Sequence, residues 1–322
     1  MRGNRVLQGP DRFFVIGKKR KGVITMKKAV SLALAALLVG IAVFSAFAAD
    51  GVNVAVTVCD GGTVPALACA SVQVADRDSD GALTIYDALY CAHEQYCDGG
   101  ADGFGTALTD YGVSLTKLWG RTSPAGYGFG YYVNDEAAWS LTDPVKDGDY
   151  VAAFLYTDAV NFSDAYAYFN VKTAAVAAGK PLTLTLAQMA YVPPEWVLVS
   201  SPAANAVILI DGEETALTAD KDGKVEVTFD GAGAHLVSAR AQSGLIVPPA
   251  CLVTVVEGGL PGDVDRDGSV TSEDARLALR ASVKLETLEA AAFVNADVTG
   301  DGVVTPEDAR KILRASVHLE TL

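Results

Sequence analysis

Hydrophobic and polar positions change their period several times along this chain. From Val52 to Val58 valine stands at every second place, the period-2 pattern of a strand with one buried face. Ser71 to Ala75 alternates in the same way. From Thr84 to about Gln95 the spacing lengthens, with Ile85, Leu89 and Ala92 on one helical face. Strand patterns return at Ser114 to Trp119, Tyr127 to Asn134 and Val151 to Tyr156. Between Pro181 and about Glu257 the text is all strand, in apolar or alternating runs at 182–186, 196–199, 206–210, 224–229, 235–241 and 251–256. Asp211-Gly, Asp220-Lys-Asp-Gly and Asp230-Gly-Ala-Gly punctuate them as turns. Past Pro261 a helical period appears twice.

These patterns predict a multidomain, mainly β protein. Residues 49–172 read as an α+β domain, the small residues Ala174 to Gly179 as a linker, 180–257 as a β-sandwich, and 261–322 as a small all-α module. Pro193-Pro194 and Pro248-Pro249 suit strand edges or turns.

The last stretch is one unit written twice. Val270 to Leu288 returns as Val304 to Leu322, offset by 34 residues. Two copies are too few to bury the core of a helical solenoid. Each copy follows an acidic loop with glycine at its sixth place. In the first, Asp263, Asp265 and Asp267 alternate, Gly268 permits a sharp bend, the Ser269 carbonyl follows, and Asp274 stands at place twelve. Hard oxygen donors at these places make a calcium cage, with Thr271 at place nine binding through water. Without a cation the crowded carboxylates would repel one another. The second loop offers Asp297, Thr299, Asp301, the Val303 carbonyl and Asp308, with Thr305 at place nine. Thr299 brings no charge, so this site is expected to be the weaker. Bound calcium would supply much of the folding free energy of so small a module. Leu279, Val283, Leu313 and Val317 lie at helical spacing and are expected to form its shared core.

A third stretch, Asp76-Arg-Asp-Ser-Asp-Gly-Ala-Leu-Thr-Ile-Tyr-Asp87, repeats the pattern, with Asp76, Asp78, Asp80, the Ala82 carbonyl and Asp87 as candidate ligands. An Asp/Gly turn followed by an N-capping Thr84 produces much of the same text, so both readings stand.

Loop then helix, twice, with Asp rather than Glu at place twelve, resembles the dockerin family over Pro261 to Leu322. The resemblance implies a calcium-folded module that plugs an exported protein into a cohesin on a scaffold or cell surface. It also implies that Ser272, Glu273, Leu279, Arg280 and Lys284, with Pro306, Glu307, Leu313, Arg314 and His318, face the cohesin. The near-identity of the copies suits docking in two orientations related by a half-turn. Glu273 and Glu307 depart from the small hydroxyl residues common at that place.

The order Asp-Gly-x-Leu-Thr-x-Tyr-Asp-Ala-Leu, then Gly-Tyr-Gly-Phe-Gly-Tyr-Tyr-Val-Asn, Trp139 and Lys-Asp-Gly-Asp-Tyr-Val is similar to exported bacterial domains related to the C-terminal domain of cobalamin carriers. This resemblance covers roughly 75–158 and implies a compact binding module. His93 is a poor corrinoid ligand. The middle strands resemble the immunoglobulin-like modules of bacterial surfaces at the level of fold.

Composition and charge narrow the setting. Two lysines after Met26, an apolar run from Ala29 to Phe44 and Ala46-Phe-Ala48 read as a signal peptide cut after Ala48, with Met26 the true start. No later stretch is apolar enough to span a membrane. Cutting there removes nine of the 25 basic and one of the 39 acidic residues, taking the net charge from −14 to −22. So acidic a chain does not bind nucleic acid by neutralising phosphates. The expected setting is extracellular, at the surface of a bacterium. Five cysteines, Cys59, Cys69, Cys91, Cys97 and Cys251, leave disulfides between 59 and 69 or 91 and 97, or buried thiols, equally open.

The chain has three histidines and no GxSxG, HExxH or Cys/His pairing, and its dense Asp clusters are already taken by the loops. A non-catalytic protein is expected, with carbohydrate or another small molecule as the front domain's ligand. A structural spacer and a polysaccharide-degrading subunit are the alternatives. Gly-Tyr-Gly-Phe-Gly is no phosphate cradle, since no Lys-Ser/Thr follows. Tyr127, Phe129, Tyr131, Tyr132, Trp119 and Trp139 are either an aromatic platform or sheet packing.

Overall fold

The computed structural model describes residues 52–322 except 111, 124–127, 159, 193, 195 and 196. The signal peptide expected at 1–48, Tyr127 and Trp196 lie outside the described residues.

The front unit is built on a five-stranded sheet. Its strands are β1 (Val52–Cys59), β2 (Leu67–Val74), β6 (Phe129–Val133), β7 (Glu136–Ala137) and β8 (Tyr150–Leu155), in the order β2-β1-β8-β6-β7. β1 runs antiparallel to β2 and parallel to β8. A smaller sheet of β3 (Gly105–Thr109), β4 (Gly112–Leu118) and β5 (Arg121–Thr122) stands beside it. Helix α1 (Ile85–Tyr96) buries Ile85, Leu89 and Ala92 completely, as its period predicts, against Val54, Val56 and Val72 of the large sheet. Thr57 and Cys59 are buried too, although they point to the other face. That face is covered by the second unit, so β1 is buried on both sides where alternation alone predicts one.

The second unit is a β-sandwich. One sheet has the order β10-β18-β16-β13-β14, from β10 (Thr173–Ala177), β13 (Val207–Ile210), β14 (Glu213–Thr218), β16 (Gly233–Arg240) and β18 (Cys251–Val256). The other has the order β12-β11-β9-β17, from β9 (Ala165–Phe169), β11 (Pro181–Val192), β12 (Val197–Pro202) and β17 (Ile246–Val247), with β15 (Lys224–Thr228) pairing the first half of β11. Phe169, Leu182, Leu184 and Leu186 meet Ile208, Val237 and Val253 between the sheets.

Two expectations need correction here. The strand β9 belongs to the sandwich, since Phe169 pairs with Leu186, so the boundary at 172 falls too late. The supposed linker is strand β10, parallel to β18, with Ala174, Val176 and Ala177 buried. Alanine is a weak strand former, and here tertiary burial overrides propensity.

The two units share a core. The rings of Tyr132 and Tyr166 stack with centroids 3.8 Å apart, and Leu236, Val247 and Leu252 close over Cys59, Cys69 and Phe154. At its edge Lys172 Nζ lies 2.8 Å from the Asp135 carboxylate, which also accepts the Tyr166 hydroxyl at 2.8 Å.

The tail has three helices, α2 (Ser272–Ser282), α3 (Ala290–Ala296) and α4 (Pro306–Ser316). Val264, Ala275, Ala278, Ala296, Ala309 and Ile312 are its core. Leu279, Val283, Leu313 and Val317 are not: they are 48, 53, 48 and 57 % exposed. Alanines let α2 and α4 approach closely, and the larger side chains fall on the adjoining outer stripe. The short α3, which strand-and-turn reading did not find, packs on β10 and β18. Gly302 also abuts the sandwich: a Cβ there would lie 3.1 Å from Leu182 Cδ1. No helix among the described residues is long and apolar enough to cross a membrane.

Candidate calcium loops and docking face

The first tail loop is wound by its own carboxylates. Asp263, buried, accepts the Asp267 N–H at 3.0 Å on one oxygen and the Gly268 N–H at 2.9 Å on the other. Asp267 accepts the Ser269 N–H at 2.8 Å. Arg266 and Gly268 take φ of 64° and 92°, left-handed values that turn the chain sharply and that glycine adopts without strain. The loop's start is pinned by Asn295 of α3, whose Nδ2 donates to the Asp263 carbonyl at 2.7 Å.

This winding brings one carboxylate oxygen each of Asp263, Asp265 and Asp267 within 4.8 Å of one another. An all-oxygen set of this density matches the chemistry of a hard divalent cation such as calcium. Desolvation and then the carboxylates of Asp274, Asp267 and Asp263 push the Asp265 pKa up, the cost of crowding like charges. A bound calcium ion would neutralise that charge and fix the loop.

Asp274 has a second task. One oxygen accepts the Val264 and Asp265 N–H groups at 2.7 and 3.1 Å; the other accepts the N–H and hydroxyl of Thr271 at 2.8 and 2.9 Å. Burial raises its pKa, but these hydrogen bonds outweigh it and hold the carboxyl below its ordinary value. Thr271 in turn caps α2, accepting the Glu273 N–H at 3.1 Å. Its hydroxyl is therefore spent on the helix and on Asp274.

The second loop repeats the winding. Asp297 accepts the N–H groups of Gly300, Asp301 and Gly302 at 2.8, 3.2 and 2.8 Å, and Asp301 accepts that of Val303 at 3.0 Å. Asp308 takes the Thr299 N–H at 3.0 Å and both groups of Thr305 at 2.8 Å. Burial, then Asp308 and Asp301, raise Asp297. Thr299 donates its hydroxyl to Asp297 at 3.2 Å in place of a third loop carboxylate.

The loop at 76–87 is wound like these two. Asp76 accepts the Ser79 and Gly81 N–H groups at 2.7 and 3.0 Å, Asp80 that of Ala82 at 2.8 Å, and Asp87 the N–H and hydroxyl of Thr84 at 3.0 and 2.8 Å. Asp76, Asp78 and Asp80 also come within 4.8 Å of one another. The N-cap reading of Thr84 and the loop reading of 76–87 describe the same hydrogen bonds, so neither displaces the other.

The residues expected to face a cohesin lie along α2 and α4. Ser272 and Pro306 open the helices. Glu273 and Glu307 form ion pairs with Arg276 and Arg310, which lower both carboxyl pKa values. Their charge is thus partly spent within each helix. Leu279 and Leu313 stand out beside Arg280 and Arg314, whose Nε atoms lie 3.2 and 2.9 Å from Glu286 and Glu320. Lys284 and His318, at φ of 59° and 60°, end the helices: their N–H groups return to Ala281 and Ala315, and those of Leu285 and Leu319 to Arg280 and Arg314.

The copies differ at four places, Ser272/Pro306, Leu277/Lys311, Ala278/Ile312 and Lys284/His318. Of these only the Ala278/Ile312 pair is buried, and the exposed leucine, arginine and valine are the same in both copies.

Elsewhere, the aromatic cluster divides. Tyr132 is buried, Phe129 and Tyr131 pack against the front core, and Trp119 lies against His93 with centroids 4.9 Å apart. Trp139 alone of the described members is open, at 81 % exposure. Gly130 is glycine because Phe154 of the paired strand lies over it; an added Cβ would meet Cζ at 2.3 Å. His93 is buried with both nitrogens engaged, Nε2 accepting the Trp119 N–H at 2.9 Å and Nδ1 donating to the Leu89 carbonyl at 2.6 Å. All five cysteines are thiols, and burial pushes that of Cys69 up to about 11.

Residues 261–315 match the family model for the dockerin type I domain. No curated protein matches the chain. Solved structures matched include the N-terminal four Ig domains of Dscam1 isoform 6.9, at 10 % identity and TM-score 0.20 over 40 % of this chain and 37 % of that one. Those of isoform 7.44 match at 9 % identity and TM-score 0.20, over 66 % of this chain and 45 % of that one. This chain therefore spans less than half of either, and a likeness so slight adds nothing to the sheet topology.

Proposed function

We propose that this is an exported, non-catalytic subunit that docks through a calcium-folded tail onto a cohesin-bearing scaffold or bacterial cell surface and presents its front unit for binding. The observation that carries the reading is the dockerin match at 261–315 laid over two helices that leave Leu279 and Leu313 each 48 % exposed. Leucine, valine and arginine repeated on two helices, with alanine left to fill the core, form a surface that is incomplete without a partner. Asp263, Asp265, Asp267, Asp274 and the Ser269 carbonyl hold the first ion in this reading, and Asp297, Thr299, Asp301, Asp308 and the Val303 carbonyl the second. The loop at 76–87 holds a third, in the front unit.

The test is a capture experiment. The chain from residue 49 onward is immobilised with calcium, exposed to surface extract of the producing cells, and eluted with a chelator. Release of a cohesin-bearing protein supports the reading. If calcium raises the melting temperature but no such protein is captured, the tail is a structural calcium module and the chain a surface spacer.

A further inference from the structure

A second surface lies in the front unit. The turn from β6 into β7 and the loop from Ala138 to Asp149 border a shallow, open cleft of about 380 Å³, within the volume range of small-ligand sites. Its wall is held by its own hydrogen bonds. Asn134 Nδ2 donates to Asp149 at 2.9 Å, the Tyr150 N–H donates to the Asn134 side-chain oxygen at 2.9 Å, and the Lys146 N–H donates to Asp149 at 2.7 Å. Asp143 accepts the N–H groups of Trp139 and Ser140 at 3.1 and 3.2 Å.

Two charged groups of that wall are left over. Among the described residues, the Glu136 carboxylate and the Lys146 ammonium form no ion pair or side-chain hydrogen bond. Next to the wall stands Trp139, which follows Ala138 and donates its backbone N–H to Asp143. Its indole is 81 % exposed, though the neighbouring aromatics of the front unit are packed into its core.

We propose that this cleft binds a neutral carbohydrate, with the Trp139 indole stacking on the C–H face of a sugar ring. The inference rests on the reading that the front unit is a presented binding module. An open aromatic face beside a cleft that mixes apolar residues (Val133, Ala137, Pro144) with charged ones suits a ligand that is apolar on one side and hydroxylated at its rim. Glu136 and Asp143 accept from hydroxyl groups, and Lys146 donates to them. The wall carries Glu136, Asp143 and Asp149 against the single Lys146, so an anionic sugar is repelled.

Native electrophoresis of the chain from residue 49 onward, in gels containing hydroxyethyl cellulose, xyloglucan, galactomannan or the anionic polygalacturonate, tests this. At least one neutral polymer is expected to retard the protein, and polygalacturonate is not. Trp139→Ala is expected to weaken the retardation about tenfold, and Glu136→Ala less. Trp139→Ala should melt like the parent because the ring is exposed. Mobility in all three neutral gels unchanged from that in a polymer-free gel, retardation by polygalacturonate alone, or retardation indifferent to Trp139→Ala each overturns the inference. Capture of a cohesin-bearing protein by the parent chain is measured separately. No glycan binding by the parent with intact capture refutes only the cleft, and no capture with glycan binding refutes only the docking reading.

Discussion

Asp274 accepts both the N–H and the hydroxyl of Thr271, at 2.8 and 2.9 Å. One carboxylate thus ends the first loop and caps the helix after it. The two roles separate by substitution. Thr271→Ala removes a cap and should cost about 1 kcal/mol in chelator while leaving the calcium-induced rise in melting temperature intact. Asp274→Asn should shrink that rise. Asp263→Ala with Asp267→Ala should remove one step of a calcium titration and leave those of the loops at Asp297 and at 76–87. Melting with and without calcium checks all three, and an unchanged rise in the Asp263/Asp267 double variant would sink the cage.

Arg280 and Arg314 occupy the same place in the two copies, beside equally exposed leucines. If either copy engages the partner, Arg280→Ala alone should cost little affinity, and Arg280→Ala with Arg314→Ala should cost tenfold or more, as for loss of an interface hot spot of about 2 kcal/mol. Surface plasmon resonance against the captured partner reads both. Equal loss from the single and double variants argues against two orientations.

His93 gives the front unit a pH dependence. Burial lowers its pKa, opposed by the hydrogen bond to Leu89. Protonation would also put a second N–H opposite the Trp119 N–H. The folded value lies below the unfolded one of about 6.5, so the unfolded chain binds more protons between them. Stability is then full above roughly pH 6.5 and falls as the pH drops toward the folded value. Intrinsic tryptophan fluorescence should report a melting temperature that declines in that window, and His93→Gln should abolish the decline while lowering stability at neutral pH.

Gly130→Ala should destabilise the front unit by about 1–3 kcal/mol, since the new Cβ overpacks against Phe154. Phe154→Leu should recover part of that loss in the double variant, as denaturant titration would show. Additive losses would mean that the contact is not the cause.

Much of the tail was legible because its chemistry is local. Carboxylates at fixed places, glycine at the sixth and a 34-residue offset are all visible in the text. The α1 face was legible for the same reason. What was hidden depends on partners distant in sequence. Ala174 to Ala177 looks like a linker until the parallel strand from Cys251 is beside it. Ala165 to Phe169 joins the second unit only through pairing with β11 and β17. Leu279 and Leu313 look like core because helical spacing shows a stripe but not which stripe faces inward. The presence of Ala275, Ala278 and Ala309 on the neighbouring stripe was the signal that could have found it. Trp139 differs from the other aromatics only in tertiary burial, which no spacing encodes.

The contact of Gly302 with Leu182, together with α3 lying on β10 and β18, makes the tail a handle fused to the sandwich rather than a plug on a string. The sandwich is in turn welded to the front unit through Tyr132 and Tyr166. A half-turn of the tail on its partner would then swing the whole molecule like a lever, carrying the Trp139 cleft to the opposite side of the scaffold. If the tail docks in two orientations, the choice between them would decide which neighbours the front unit can reach.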